Sequence, residues 1–349
     1  MKKRSLLSMV LLMATGLLIS VLGQGIVYCA DKPIELKFIS PYYDQHLVAK
    51  NAFMPWIDQV FKKSNGKLKI IFFPPNSIMK MNEVFEGTKA GLVDIGSSLC
   101  AQNQGKFPLI ELLEMPILFS SAETASRVYW DLYEKYPEFR DQFKGTKVLW
   151  LWMSAITQIQ TTKKPIRTPE DLKGMKIAGH SKGQLDAMHA LGANPIEIAP
   201  PEMYLGLERG IAEGALMSFV GAKGVKVFDV VRYSTKADLQ AVSFYSVITP
   251  KKYEALPPDI KNVLDEMTGA YFSRECGATL DRSDEEVIAD VKKQGIDIYV
   301  VPPDEKEKWV EAVMPVREAM FKAVEAKGYK NAREMINTAI DLAKEYDKK

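Results

Sequence analysis

Short apolar runs alternate with amphipathic stretches along the chain from Asp31 onward. The runs have the length and the β-branched or aromatic content of strands, and most of the stretches between them repeat apolar residues at helical spacing. Strands are predicted at 34–40, 67–73, 93–97, 147–153, 175–178, 215–219, 240–249 and 296–301. This alternation is typical of an α/β fold, in which helices cover the faces of the sheets.

Residues that cap helices mark two of the helix starts. Thr168 precedes Pro169 and two acids, and Pro201-Glu202 precedes an amphipathic run, so a helix is predicted to begin at each place. Gly174 and Gly210 are expected to end these two helices.

The longest helical pattern extends from Pro258 to Gly295. As one helix it would be about 50 Å long, enough to span two lobes, and Gly269 or Gly277 would allow a bend. Two further helices are predicted at 304–328 and 331–346, where the chain ends in a charged tail.

The first thirty residues have the pattern of an export signal. Three cations, Lys2, Lys3 and Arg4, precede an apolar run from Leu6 to Leu22. The alternative is a membrane anchor, because about 18 apolar residues can cross a bilayer. Cleavage after Cys29 and cleavage after Ala30 both remain open, and Tyr28 disfavours a lipid-modified cysteine.

Composition excludes several classes of protein. The chain has 349 residues, which predicts two domains, and its 46 basic and 44 acidic residues give a net charge of +2. The charges are scattered, so we expect no nucleic-acid partner. Three Cys and three His are too few and too dispersed for a zinc site or a disulfide framework, and no cofactor is expected. Whether Cys100 and Cys276 pair in an oxidising compartment stays open.

No constellation of catalytic residues is evident in the sequence. Phosphate-binding glycine motifs, the G-x-S-x-G motif and the H-E-x-x-H motif are all absent. His180 and His189 are nine residues apart, which does not place them on one helix face, and the pair Glu285-Glu286 falls on a charged helix face. We therefore predict a protein that is not an enzyme.

Aromatic residues and methionine instead cluster at the ends of three predicted strands. Tyr42 and Tyr43 follow the first strand, Trp150, Trp152 and Met153 end the fourth, and Met217-Ser218-Phe219 end the sixth. Each cluster alone is more typical of a core, but ligand clefts in α/β proteins lie at strand ends. The three clusters together indicate such a cleft.

Several segments resemble the DctP-type solute-binding proteins of TRAP (tripartite ATP-independent periplasmic) transporters. They are NGKLKIIFFPPNSI (65–78), FEGTKAGLVDIG (85–96), LLEMPILF (112–119), KKPIRTPEDLKGMKIAG (163–179), LGANPIEIAPPEMYLGLERGIAEGA (191–215) and ITPKKYEALPPDIK (248–261). The resemblance covers essentially all of the chain after the export signal.

This resemblance implies two α/β lobes, joined by crossing strands and a long helix, that close over a ligand by a hinge. Residues 1–30 would be the signal peptide, 31–155 with about 243–283 the first lobe, and 156–242 with about 284–349 the second. It also implies a periplasmic receptor that delivers a small molecule to a sodium-driven permease with a small and a large membrane subunit. A receptor of the same fold that serves a membrane sensor is the alternative.

The sequence departs from the family at the positions that hold a carboxylate. Where members have an arginine after G-L-K-I, this chain has Ala178, and a second arginine of some members falls on Gln158. A family amide falls on Met217. Because alanine cannot replace a bidentate arginine, a neutral ligand, or one with a large apolar or aromatic part, is predicted.

The predicted ligand-binding residues combine this register with the strand ends. They are Tyr42, Tyr43, Ser98, Leu99, Trp152, Met153, Gln158, Ala178, Lys182, Met217, Ser218 and Phe219. The alternative is a carboxylate held by a relocated cation, for which Lys182, Lys223 and His46 are the candidates.

Overall fold

The computed structural model describes residues 32–103 and 105–348. Its strands are β1 Ile34–Ile39, β2 Leu68–Phe73, β3 Ile95–Leu99, β4 Lys147–Met153, β5 Thr157–Thr161, β6 Lys176–Gly179, β7 Asn194–Glu197, β8 Gly214–Met217, β9 Tyr233–Gln240, β10 Ser243–Ile248 and β11 Asp297–Val300. The predictions made for residues 1–30 lie outside the described residues. No helix among those described is long and apolar enough to cross a membrane.

Helices lie between most of these strands. They are α1 Met54–Lys63, α2 Val84–Lys89, α3 Pro108–Glu111, α4 Ala122–Lys135, α5 Pro137–Asp141, α6 Lys182–Ala190, α7 Met203–Glu208, α8 Phe219–Gly224, α9 Pro250–Glu254, α10 Pro258–Glu266, α11 Gly269–Lys293, α12 Pro303–Glu325 and α13 Ala332–Tyr346. Short 3-10 turns occupy Met81–Glu83, Cys100–Gln102, Leu112–Glu114, Pro169–Leu172, Pro200–Glu202 and Val227–Asp229, and a π turn occupies Ala49–Phe53. Helical structure begins at both predicted places. A 3-10 turn follows Thr168, whose N–H donates to the Asp171 carboxylate, and a 3-10 turn at Pro200–Glu202 leads into α7 without a side-chain cap.

The strands form two sheets. One has the order β2-β1-β3-β10-β4 and the other the order β11-β9-β5-β8-β6-β7. The chain passes between the sheets from β4 to β5 and returns from β9 to β10, so two strand connections cross at the same place. The predicted α/β fold with crossing strands is confirmed. The lobe limits remain a prediction.

The sequence of β4, KVLWLWM, is a continuous apolar run because nearly all of the strand is buried. Six of its seven residues are buried. The ring centroid of Trp150 lies 4.9 Å from the ring centroids of both Trp56 and Phe272. Helices α1 and α11 therefore cover the face of the sheet that carries Trp150. A strand buried on both faces needs apolar residues at every position.

Helix α11 links the two sheets. Its first half places Phe272 against Trp150 of the five-stranded sheet, and its second half places Val287 and Val291 in the apolar cluster beside β6 and β8. The single helix predicted from 258 to 295 is wrong at one point, because α10 ends at Glu266 and Gly269 adopts a φ of +65°. The break therefore falls at one of the two glycines that the sequence offered.

Three strands were missed by the apolar pattern. In β5 (TQIQT) all five residues are buried although four are polar, and β9 and β7 are likewise rich in polar residues or proline. The predicted strand 215–219 ends at Met217, because the Ser218 hydroxyl accepts a hydrogen bond from the Gly221 N–H and caps α8. Phe219 is therefore helical.

The predicted second lobe, with its segment at about 284–349, includes the last helix, α13. Met335, Ile336 and Ala339 of this helix lie in one apolar cluster with residues of α4 and β4. Cys100 and Cys276 are both buried and free, so the pairing left open by the sequence is not formed.

Candidate ligand-binding cleft

A cavity of about 470 Å³ lies where the chain crosses between the sheets. The loop after β1 and both crossing connections supply one wall, and the ends of β6 and β8 with helices α6 and α8 supply the other. The lining residues are Gln45, His46, Leu47, Ser154, Ala155, Thr157, His180, Gln184, Pro200, Met217, Ser218, Val220, Gly221, Gly224, Val225 and Val242. We call this cavity the cleft.

The titratable side chains among the described lining residues of the cleft are two imidazoles. Among the described lining residues there is no lysine or arginine. Burial lowers the pKa of His46 to about 4, and loss of solvation also lowers the pKa of His180. Both side chains are therefore neutral at pH 7, and the lining carries no positive charge.

His46 is held in one orientation. Its ring stacks on Tyr42 with centroids 3.7 Å apart, and its Nδ1 accepts a hydrogen bond of 3.3 Å from the Val48 N–H. In the neutral ring the proton is then on Nε2, which can donate. Tyr42, one of the predicted residues, supports His46 from behind.

The structure brings only part of the predicted set into the cleft. Met217 and Ser218 line it. Tyr43 is exposed, Trp152 stacks on Phe244 at 4.0 Å and is fully buried, and Met153 lies in the core. The Ser98 hydroxyl donates to the Met81 carbonyl, and Leu99 pairs with Phe244 in the sheet. These strand ends contact neighbouring elements of the fold and do not line the cleft.

The two positions aligned with family arginines are also outside the cleft lining. Both ends of the Gln158 amide are used, because Nε2 donates to Asp238 Oδ1 at 3.0 Å and Oε1 accepts from the Asp238 N–H at 2.9 Å. Ala178 is fully buried in an apolar cluster. Phe219 lies with Gln158 beside a second, smaller cavity of about 260 Å³.

Two of the three candidate cations are engaged elsewhere. Lys182 pairs with Asp186 on an exposed face of α6, beside a groove against α12, and its side chain is 87% exposed. Lys223 Nζ lies 2.7 Å from Asp290. His46 alone of the three lines the cleft.

Thr157 and Gln184 line the cleft and were not predicted. Both are buried, and the Thr157 Oγ1 and Gln184 Nε2 atoms have no hydrogen-bond partner within the protein. The sequence contained a weak signal for one of them, since Gln184 stands three residues after the capping Ser181. Nothing in the sequence distinguished Thr157 from Thr161, four residues later in the same strand.

Residues 42–323 match the family of bacterial extracellular solute-binding proteins, family 7, known as DctP. The chain belongs to this family. Its relatives include the 2,3-diketo-L-gulonate-binding periplasmic protein of Escherichia coli, which is 25% identical over 73% of this chain and 76% of its own length. Another is the C4-dicarboxylate-binding periplasmic protein of Vibrio cholerae, 24% identical over 77% of this chain and 80% of its own length.

Solved structures agree with the DctP assignment. A TRAP solute-binding protein of Rhodoferax ferrireducens in complex with copurified benzoate is 27% identical, with a TM-score of 0.78 over 90% of this chain and 99% of that one. A TRAP periplasmic solute-binding protein of Desulfovibrio salexigens in an open complex is 25% identical, with a TM-score of 0.83 over 90% and 96%. The chain is thus a solute-binding receptor of the TRAP type and not an enzyme.

Proposed function

We propose that this DctP-family protein is a periplasmic receptor for a small molecule with an apolar or aromatic body that is uncharged where it meets the cleft. The receptor passes this ligand to a TRAP permease made of a small and a large membrane subunit. The named relatives are periplasmic proteins, and the export pattern of residues 1–30 agrees with that location.

The observation that carries this proposal is that the described lining of the cleft contains no cation. A carboxylate that leaves water is stabilised most strongly by a cation, because the charge-assisted pair offsets its lost hydration. The described lining offers two neutral imidazoles and no lysine or arginine. Apolar side chains, among them Leu47, Met217, Val220 and Val225, supply most of the remaining wall.

The relatives support the aromatic part of the proposal more than the uncharged part. The Rhodoferax protein is described with benzoate and the Escherichia coli protein as a binder of 2,3-diketo-L-gulonate, and both ligands are acids. An aromatic body fits the apolar wall of this cleft, whereas the arginine positions are here Ala178 and Gln158. The uncharged part of the proposal rests on the lining of the cleft, where the described residues include no lysine or arginine.

Closure would follow from contacts on both walls. A ligand that touches His46 on one wall and Met217 on the other stabilises the closed arrangement and shifts the population toward it. No covalent step is required.

The decisive experiment compares uncharged and charged small molecules that share the same carbon skeleton. We would purify the chain from residue 31, measure thermal melts with benzamide against benzoate and succinamide against succinate, and identify any copurified molecule by native mass spectrometry. A ligand at 100 times its Kd stabilises by about 2.7 kcal/mol. We expect a shift with benzamide and none with succinate. A strong shift with succinate or benzoate alone would contradict the uncharged ligand.

The same melts test the relocated cation. Lys182→Ala is expected to leave every ligand-induced shift unchanged, because Lys182 faces solvent outside the cleft. Binding of an acid that is lost in Lys182→Ala and kept in Gln158→Ala would favour the carboxylate receptor instead.

A further inference from the structure

Thr157 and Gln184 place two unpartnered polar groups in one largely apolar cleft. Both residues line it, and Thr157 Oγ1 and Gln184 Nε2 are buried without a hydrogen-bond partner. A buried donor with no acceptor destabilises a folded protein, and one on a residue that lines a cavity can gain an acceptor from a molecule bound there.

The start of helix α6 fixes the Gln184 amide. The Gln184 side chain is fully buried, and its Oε1 accepts the His180 N–H at 2.9 Å. The Ser181 hydroxyl accepts the Gln184 N–H and caps the helix. Because the oxygen is committed to the main chain, the amide presents its NH₂ group as the free donor.

Thr157 differs from a close neighbour in its own strand. Thr161 is as buried, but its Oγ1 donates to the Lys164 carbonyl at 2.6 Å. Thr157 lies at the crossing from β4 to β5, where the chain borders the cleft, and its hydroxyl has no such acceptor. Two threonines of one strand thus have different roles.

Two further lining groups are also donors. The Ser218 oxygen accepts the Gly221 N–H, which leaves its hydroxyl hydrogen to donate. His46 presents Nε2–H, since its Nδ1 accepts from Val48. With the Gln184 amide and the Thr157 hydroxyl, four lining groups can therefore donate a hydrogen bond.

We propose that Gln184 and Thr157 form a subsite that binds an oxygen acceptor of the ligand, a carbonyl or a similar uncharged oxygen, while the apolar wall holds the body. This inference rests on the proposed function and names the feature by which the receptor selects among apolar molecules. Selectivity comes from the unmet donors, because a molecule without the acceptor leaves them unpaired.

Isosteric variants test the subsite. Thr157→Val removes the hydroxyl at constant shape, and Gln184→Glu keeps the acceptor for His180 but replaces the donor with an oxygen. With benzamide as the probe, we expect each variant to raise Kd by about tenfold or more, as measured by calorimetry. Gln184→Glu should recover affinity as the pH falls, because a protonated carboxyl group donates again. Thr161→Val is the matched control and should keep the wild-type Kd.

The empty protein gives an independent measurement. Thr157→Val should melt at or above the wild-type temperature, whereas Thr161→Val should melt lower because it loses a bond within the protein. A lower melting temperature for Thr157→Val, or an unchanged Kd for both subsite variants, would overturn the subsite. A wild-type protein that binds succinate and not benzamide would instead contradict the proposed function.

Discussion

Asp281 and Asp284 lie one turn apart on α11, yet their carboxylates cap two different helices. Asp281 accepts hydrogen bonds from the Ala122 and Glu123 N–H groups at 2.9 and 2.8 Å, at the start of α4. Asp284 accepts from the Val220 N–H at 2.8 Å, at the start of α8. Because α8 forms part of the cleft wall, this pair ties α4, which packs on β4, to the cleft.

The Asp284 carboxyl predicts a pH dependence of stability. Burial raises its pKa from 3.8 to about 7. The folded protein therefore binds this proton more tightly than the unfolded chain, and the resulting stability is full below about pH 4 and lost as the pH rises through about 7. Asp284→Asn should flatten the dependence of the unfolding free energy on pH between 5 and 8, measured by urea unfolding.

A matched control for this effect is available on the same helix. Glu286→Gln changes an exposed residue two positions later and should keep the wild-type pH slope. Burial also raises the pKa of Glu114 to about 7, so a slope remains in Asp284→Asn. Equal slopes for wild type and Asp284→Asn would show that Asp284 does not titrate in this range.

His46 predicts a flat pH profile for binding. Its pKa of about 4 lies below the ordinary value, so the ring stays neutral from pH 6 to 8 and Nε2 keeps its proton. His46 should therefore add no pH dependence to the affinity for benzamide between pH 6 and pH 8, so the profiles of wild type and His46→Gln should have the same shape by calorimetry. An affinity for benzoate that rises as the pH falls, with a slope abolished by His46→Gln, would instead identify an imidazolium as the anchor.

Substitution of Gln158 is expected to lower the free energy of unfolding rather than the affinity for the ligand. Gln158→Leu removes both hydrogen bonds between Gln158 and Asp238, which leaves the buried Asp238 N–H unpaired and its carboxylate with Lys306 alone. The loss should be about 1 to 3 kcal/mol of unfolding free energy, measured by urea unfolding. Ligand affinity of the folded variant should stay close to wild type. A variant with wild-type stability that fails to bind would show that Gln158 takes part in ligand binding.

Gly277 tests the contact between α11 and the start of α4. A Cβ at this position would lie 2.4 Å from the Ala122 carbonyl oxygen, so the two helices must separate in Gly277→Ala. We expect a loss of about 1 to 3 kcal/mol by urea unfolding. Gly224→Ala, where the added Cβ meets nothing within 4 Å, should be neutral or slightly stabilising. A neutral Gly277→Ala would contradict this close packing.

The local pattern of apolar and capping residues predicted the elements whose buried side chains are apolar. The run KVLWLWM became β4, the capped segment after Thr168 became a turn, and Gly269 marked the break between α10 and α11. These features depend on neighbours within a few residues, so periodicity and capping reveal them. The family was indicated separately, by the segments that resemble DctP proteins.

Tertiary structure decided which residues reach the cleft. Thr157 and Thr161 have the same side chain in one polar strand, and only the position of the crossing leaves one of them facing a cavity. Trp152 and Gln158 were expected at the ligand, but the Trp152 ring stacks on Phe244 and the Gln158 amide bonds to Asp238, 92 and 80 positions away in the sequence. The sequence by itself determined the fold class, because local preference encodes it, and it indicated the family through the segments that resemble DctP proteins. The binding surface depends on which distant groups remain unpartnered, and only the folded chain decides that.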